Sequence, residues 1–281
     1  MDYYEEGLSE IPFSVDSDER REYITHSEIN NDGDMFVIGA NFGPVYHNSY
    51  WKYIENVARH CKKLSVRDWS SYKMVHHLEN TQYAPDIGFL IPADVIPCGN
   101  KVIGISVMDV SSLPNKGKHA QAYYELLADA IKYFLKKEYK IRLIALCNRE
   151  GDVRAIAKLR AMVNDHSHLL SEHIYSGDIQ KTLECFADTD FMICTRFHSM
   201  IMGMALDKPI FPILYNCKMQ NYLLDTGFKG RSILLDDIEH CTLDDVIYNY
   251  QEKTICDCTW HKNNAWRHFD PLLRYLKAQG G

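Results

Sequence analysis

The 281-residue chain has no glycine-rich phosphate loop, no G-x-G-x-x-G turn and no G-x-S-x-G elbow. P-loop nucleotide hydrolysis and serine-hydrolase chemistry therefore lose their usual sequence carriers. No run approaches the roughly 20 apolar residues that cross a bilayer. The most apolar stretch, 200–214, is broken by Asp207, Lys208 and two prolines. The opening Met1-Asp2-Tyr3-Tyr4-Glu5-Glu6 is acidic and contains no apolar h-region of the secretory kind. Internal repeats and low-complexity segments are absent as well. A formal net charge of −7 argues against a nucleic-acid binder working by bulk electrostatics, while leaving room for a local basic pocket. Nine cysteines, an odd count without framework spacing, read as reduced thiols in a cytoplasm. His240, Cys241, Cys256, Cys258 and His261 lack the two-residue knuckle spacing of structural zinc sites, so no metal is expected.

What is present is an ordinary globular composition, 46% hydrophobic and 25% charged, laid out as alternating strand and helix patterns. Apolar runs at 35–39, 64–66, 101–107, 141–147, 191–194 and 210–213 read as strands, with a weaker one near Ile174. Helical spacing occupies 49–64, 119–137, 152–163, 178–187, 199–206, 216–226 and 243–252. A further helix is expected behind Ser70 or Ser71 as its cap, and a last one over 260–277. This alternation predicts the α/β class, with parallel sheets covered on both faces. Residues 1–97 read as a first Rossmann-like lobe and 98–258 as a second, with the proline-containing 91–100 as linker. Residues 259–281 read as a C-terminal helix packing back on the first lobe. Because 1–34 is polar and acidic, and 35–39 is the first convincing strand, the first lobe reads as shortened at its N-terminus.

The most informative stretch is 190–215, a strand, a polar corner, a small-residue helix and a second strand. Such a corner lies at the carboxyl edge of a parallel sheet, where open α/β folds bind ligands. It carries Thr195, Arg196, His198 and Ser199, four polar side chains between almost wholly apolar neighbours. A cation and a proton-transfer group at a helix N-terminus suit an anionic substrate that must be protonated. The bland alternative pairs Arg196 with Asp188 or Asp190 and leaves His198 as a helix cap. Arg67-Asp68 repeats the arrangement at the end of 64–66, so Arg67 could face Arg196 across a cleft. Asn41-Phe42-Gly43-Pro44 is a third corner, where an ordinary turn is the stronger reading. Tyr215-Asn216-Cys217-Lys218 follows the next strand, which brings Lys218 near the Arg196 corner; a solvated surface lysine weighs equally.

The runs Ile193-Cys194-Thr195-Arg196-Phe197-His198-Ser199, Ala205 to Ile210 and Tyr215-x-x-Lys218 resemble the polysaccharide pyruvyltransferase family. The runs Val37 to Pro44, Leu64 to Asp68 and Ala84-Pro85-Asp86 resemble it in matching order, so the likeness covers about 35–235. The resemblance implies two Rossmann-type lobes arranged as in GT-B glycosyltransferases, with phosphoenolpyruvate as donor substrate and no cofactor. It implies transfer of the pyruvyl group onto two hydroxyls of a sugar in a surface polysaccharide or its precursor, with release of phosphate. His198 would be the general acid, Arg196 the anion clamp, and Arg67 and Lys218 further donor ligands. Ser199, Asn41 and Tyr215 complete the candidate substrate-binding set. A lipid-linked oligosaccharide acceptor would place a cytoplasmic enzyme at the inner face of the plasma membrane, a peripheral contact with which exposed Trp260, Trp266 and Tyr250 are compatible. Two other readings stand beside this one: a GT-B glycosyltransferase using a nucleotide sugar, and a non-catalytic binding protein of a polysaccharide assembly complex.

Overall fold

A computed structural model of the chain describes residues 34–42, 48–91, 101–165 and 167–280. The expected lead-in over 1–33, the Gly43-Pro44 turn and nearly all of the expected linker lie outside the described residues. The chain divides into two compact units, one formed by 1–90 with 259–281 and the other by 91–258.

In the first unit, β1 (Phe36–Ala40), β2 (Lys63–Val66) and β3 (Thr81–Tyr83) make a parallel sheet in the order β1-β2-β3. Between them run α1 (Asn48–His60) and α2 (Trp69–Val75). Helical spacing of Trp51, Ile54, Ala58 and Cys61 turns one face of α1 onto Leu64, Val66, Val75 and Leu78. The Asn80 amide caps the far end of α1, donating to the carbonyls of Ala58 and Cys61 at 2.6 and 2.7 Å. Gly39, at φ +67°, bends β1 out of register, and its N–H donates to Ser65 Oγ instead. Neither serine expected to cap α2 does so: Asp68 is the cap and accepts from the Ser71 N–H at 2.8 Å. A carboxylate one residue before the apolar run competes better for that N–H, and Ser71 is turned inward, donating to the Phe42 carbonyl.

The C-terminal segment completes this unit. The single helix expected over 260–277 is interrupted, as α9 (Thr259–Asn264), a tight turn (Ala265–His268) and α10 (Asp270–Gln279). Pro271 sits in the first turn of α10, where its missing N–H costs nothing and the preceding turn cannot continue helically. His268 fastens the segment to the sheet, its Nε2 donating to the Pro85 carbonyl at 2.7 Å and its Nδ1 accepting from Ser65 Oγ at 2.8 Å.

In the second unit, β4 (Val102–Ser106), α3 (Ala120–Lys136), β5 (Lys140–Ala145), α4 (Asp152–Val163), β6 (Leu170–Ile174), α5 (Ile179–Ala187), β7 (Phe191–Cys194), α6 (Phe197–Ala205), β8 (Ile210–Leu214), α7 (Cys217–Asp225), β9 (Ile233–Leu234) and α8 (Leu243–Gln251) follow in turn. The parallel sheet runs β6-β5-β4-β7-β8-β9. Counted from its own first strand this is 3-2-1-4-5-6, the doubly wound order of dinucleotide-binding sheets. β4, β7 and β8 are buried along their whole length, which explains their unbroken apolar runs. Fully buried Tyr123, Phe134, Phe186, Phe191 and Phe211 fill the layers, each contributing about 1.5–3 kcal/mol by burial. At Gly203 a Cβ would stand 2.8 Å from Ile210 Cγ2, so only glycine lets α6 lie this close to β8.

Among the described residues no helix is long and apolar enough to cross a membrane. The eight cysteines among them are all free thiols.

Candidate functional site

The strand order of the second unit reverses between β4 and β7, and the loops leaving their carboxyl ends flank the crevice where such sheets receive ligands. The loop after β7 is Thr195-Arg196. Thr195 is buried against α3, its Oγ1 3.0 Å from Tyr123 Oη, which also accepts the Met108 N–H from the loop after β4. Arg196 is the N-cap of α6, with extended backbone and no side-chain cap. Ser199 Oγ donates to the Arg196 carbonyl at 2.6 Å, which folds the first turn of α6 onto the corner.

α6 begins at Phe197, two residues before the expected start, so His198 stands in its first turn. His198 is the one exposed residue between Phe191 and Ile201. Its ring lies edge-on to Phe197, and Phe197 packs edge-on against Tyr222 of α7. An imidazole therefore projects from the carboxyl edge of a strand–helix unit that is otherwise buried, beside helix N–H groups with no intrahelical acceptor.

The Arg196 side chain is 7% exposed and lies between two carboxylates. Nε and Nη2 bond to Asp152, and Nη1 bonds to Glu150. Asp152 is fully buried and also accepts the Leu146 and Cys147 N–H groups at 3.0 and 2.8 Å. Burial pushes its carboxyl up, against the opposing pull of Arg196 and the two backbone donors. Arg196 is thus ion-paired, as the bland alternative expects, but with Glu150 and Asp152 rather than Asp188 or Asp190; Asp188 accepts from Arg142 at 2.8 Å. Glu150 lies in the loop after β5 and Asp152 opens α4 behind it; β5 is next but one to β7 in the sheet, which brings both acids within reach of the corner. The same loop crosses Asp109, after β4, which accepts from Arg154 at 3.0 Å and from Ser111 at 2.5 Å. Gly151, at φ +85°, leaves no room for a Cβ between Arg154 and Asp109.

Next along the edge is the loop after β8. Tyr215 is buried, Asn216 caps α7 by accepting the Met219 N–H at 2.9 Å, and Lys218 is half-buried in the first turn. Arg196, His198, Ser199, Tyr215 and Lys218 thus occupy neighbouring corners of one sheet edge. Arg67 and Asn41 belong to the first unit. Arg67 bonds to buried Asp86 at 3.0 Å, and the Asn41 amide donates to Asp68 at 2.5 Å. Tyr250 departs from the exposure expected of it: half-buried, it bonds to Tyr139 and packs edge-on to Phe134 and Phe191. Sequence reasoning missed Asp152, Glu150 and Asp109. Asp109, two residues past the run 101–107, carried a visible signal; Glu150 and Asp152 reach Arg196 only through the strand order. Among the described residues no three His, Cys, Asp or Glu side chains are placed to share a metal ion.

Solved structures resemble the chain only distantly. A chain from the structure of accessory secretory proteins 1, 2 and 3 of Streptococcus pneumoniae has a TM-score of 0.44 and 12% identity, covering 83% of this chain and 45% of its own. TarM from S. aureus has a TM-score of 0.44 and 14% identity, with 82% and 45% covered. MurG from Acinetobacter baumannii has a TM-score of 0.39 and 12% identity, with 85% and 65% covered. The chain spans about half the length of the first two. The polysaccharide pyruvyl transferase family model matches residues 13–216, which include the Arg196–His198 corner and stop just short of Lys218. By that match over most of its length, the chain belongs to the polysaccharide pyruvyl transferase family.

Proposed function

We propose that the protein is a ketal pyruvyltransferase, moving the pyruvyl group of phosphoenolpyruvate onto two hydroxyls of a sugar in a surface polysaccharide or its precursor. The observation that carries this reading is His198, alone exposed on the Arg196 corner within the family match. Protonation of donor carbon 3 leaves an oxocarbenium-like carbon 2, which one sugar hydroxyl attacks. The carbon–oxygen bond to phosphate then breaks and the second hydroxyl closes the ketal. Of the two hydroxyl protons, one balances the proton added to carbon 3 and the other leaves with hydrogen phosphate. A histidine is a suitable acid for the first step.

Arg196 has a divided role here. Asp152 holds one edge of its guanidinium permanently, while Glu150, whose side chain is 32% exposed, occupies the other edge as a carboxylate that the donor's own anion displaces. Ser199 shapes the first turn, and Tyr215 and Lys218 line the next corner. No cofactor or metal is required, since charge is met by arginine, lysine and helix N–H donors. With a lipid-linked acceptor the protein would work at the cytoplasmic face of the plasma membrane.

His198→Ala is expected to abolish phosphate release from phosphoenolpyruvate and a galactoside or mannoside acceptor, while calorimetry still registers donor binding. Full turnover in that variant removes His198 from the mechanism. The 3-2-1-4-5-6 strand order favours one other reading, a glycosyltransferase using a nucleotide sugar. Thermal stabilisation by nucleotide sugars but not by phosphoenolpyruvate would select it.

A further inference from the structure

Three aromatic rings form a row on the first unit. Trp69 stacks on Tyr83 with centroids 4.6 Å apart and planes 27° off parallel, and Tyr83 stacks on Trp260 at 6.0 Å and 16°. Trp69 opens α2 just beyond β2, and Tyr83 ends β3, so both stand at the carboxyl edge of the sheet. Trp260 comes from α9 at the other end of the chain. The outer two rings remain 43% and 48% exposed. They are nevertheless fixed. Trp69 meets the edge of Tyr72 at 5.5 Å, and Trp260 the edge of His261, which packs on buried Phe89. Asp68 caps the helix that Trp69 begins.

Held indole faces left half in water mark a surface with a ligand to receive. The same edge carries Arg67 with Asp86, and Asn41 with Asp68. Apolar ring faces beside charged and amide groups match a pyranose, which presents axial C–H groups on its face and hydroxyls around its rim. An anionic lipid surface is matched less well, because the arginine on this edge is already paired with buried Asp86.

We propose that the outer indoles Trp69 and Trp260, held by Tyr83 between them, are a saccharide-binding platform on the first unit, taking sugar rings of an oligosaccharide acceptor. This rests on the saccharide half of the function proposed above and is independent of its donor chemistry.

The test titrates the full chain with manno- and galacto-oligosaccharides of increasing length, without phosphoenolpyruvate, following tryptophan fluorescence and its quenching by acrylamide. Oligosaccharides of one series should shield the indoles, more tightly as length lets both outer rings engage. Trp69→Leu and Trp260→Leu keep apolar bulk but remove the ring face, and each should weaken binding about tenfold with unchanged circular dichroism. Should a leucine variant fail to fold, the shielding in the wild-type chain decides. Undiminished binding in a folded double variant, or no shielding by either series, overturns the proposal. Shielding by phosphatidylglycerol–phosphatidylethanolamine vesicles but not by sugars overturns it too, and assigns the rings to a membrane. A negative outcome leaves His198 and the donor site untouched, whereas an inactive transferase that still binds sugar leaves the platform standing.

Discussion

Asp152 receives four hydrogen bonds on two oxygens, two from backbone N–H groups and two from Arg196. A fully desolvated carboxylate is tolerable only with such complete pairing, and removing one charge of a buried pair is worse than never having had it. Asp152→Asn is therefore expected to cost about 3–5 kcal/mol, read as a lowered denaturation midpoint, because it leaves the Arg196 guanidinium buried with Glu150 alone. A loss under about 1 kcal/mol would show the pair to be far better solvated than its burial implies. Arg196 and His198 were legible in the sequence because polar residues between apolar runs stand out. The acids were not, since they lie 44 and 46 positions away and meet Arg196 only through strand order.

At the scale of elements, one side chain ties α8 to the sheet edge. Asn249 is fully buried, donates to the carbonyls of Ile210 and Arg231 at 2.8 and 2.7 Å, and accepts the Arg231 N–H at 2.8 Å. It thereby closes the sheet edge where β9, only two residues long, cannot. Asn249→Ala should destabilise the second unit by roughly 2–3 kcal/mol, since three backbone groups lose their partner at once; urea unfolding followed by tyrosine and tryptophan emission measures it. The long helices were legible from their 3.6-residue period. β3 and β9 were not, because three and two residues cannot establish a period of two. The breaks around α9 and α10 were signalled by Pro271, whose preference for a first helical turn outweighs the aromatic pattern running across it.

For the molecule as a whole, alternation of strand and helix patterns was enough to foretell two parallel α/β sheets. Strand order was not, because crossover order leaves no mark in a single chain's composition. Acid stability belongs at this scale. Burial holds the imidazoles of His268 in the first unit and His173 in the second below their ordinary range. The unfolded chain then takes up protons that the folded chain refuses, so this contribution is complete above about pH 6.5 and fades as pH falls through the lowered folded values. The thermal midpoint should be lower at mildly acidic than at mildly alkaline pH, with His268→Gln narrowing the difference. A gap of the same size in that variant would assign the effect elsewhere.

The first unit is built from two stretches separated by the whole of the second, with His268 pinned to Ser65 across 203 positions. During synthesis from the amino end, the middle unit has all its strands outside the ribosome before the other has its last segment. Ser65 and the Pro85 carbonyl must meanwhile rely on water. The β1-β2-β3 sheet thus waits on a segment made after the whole middle unit, and a ribosome stalled before codon 259 would leave it without its closing latch.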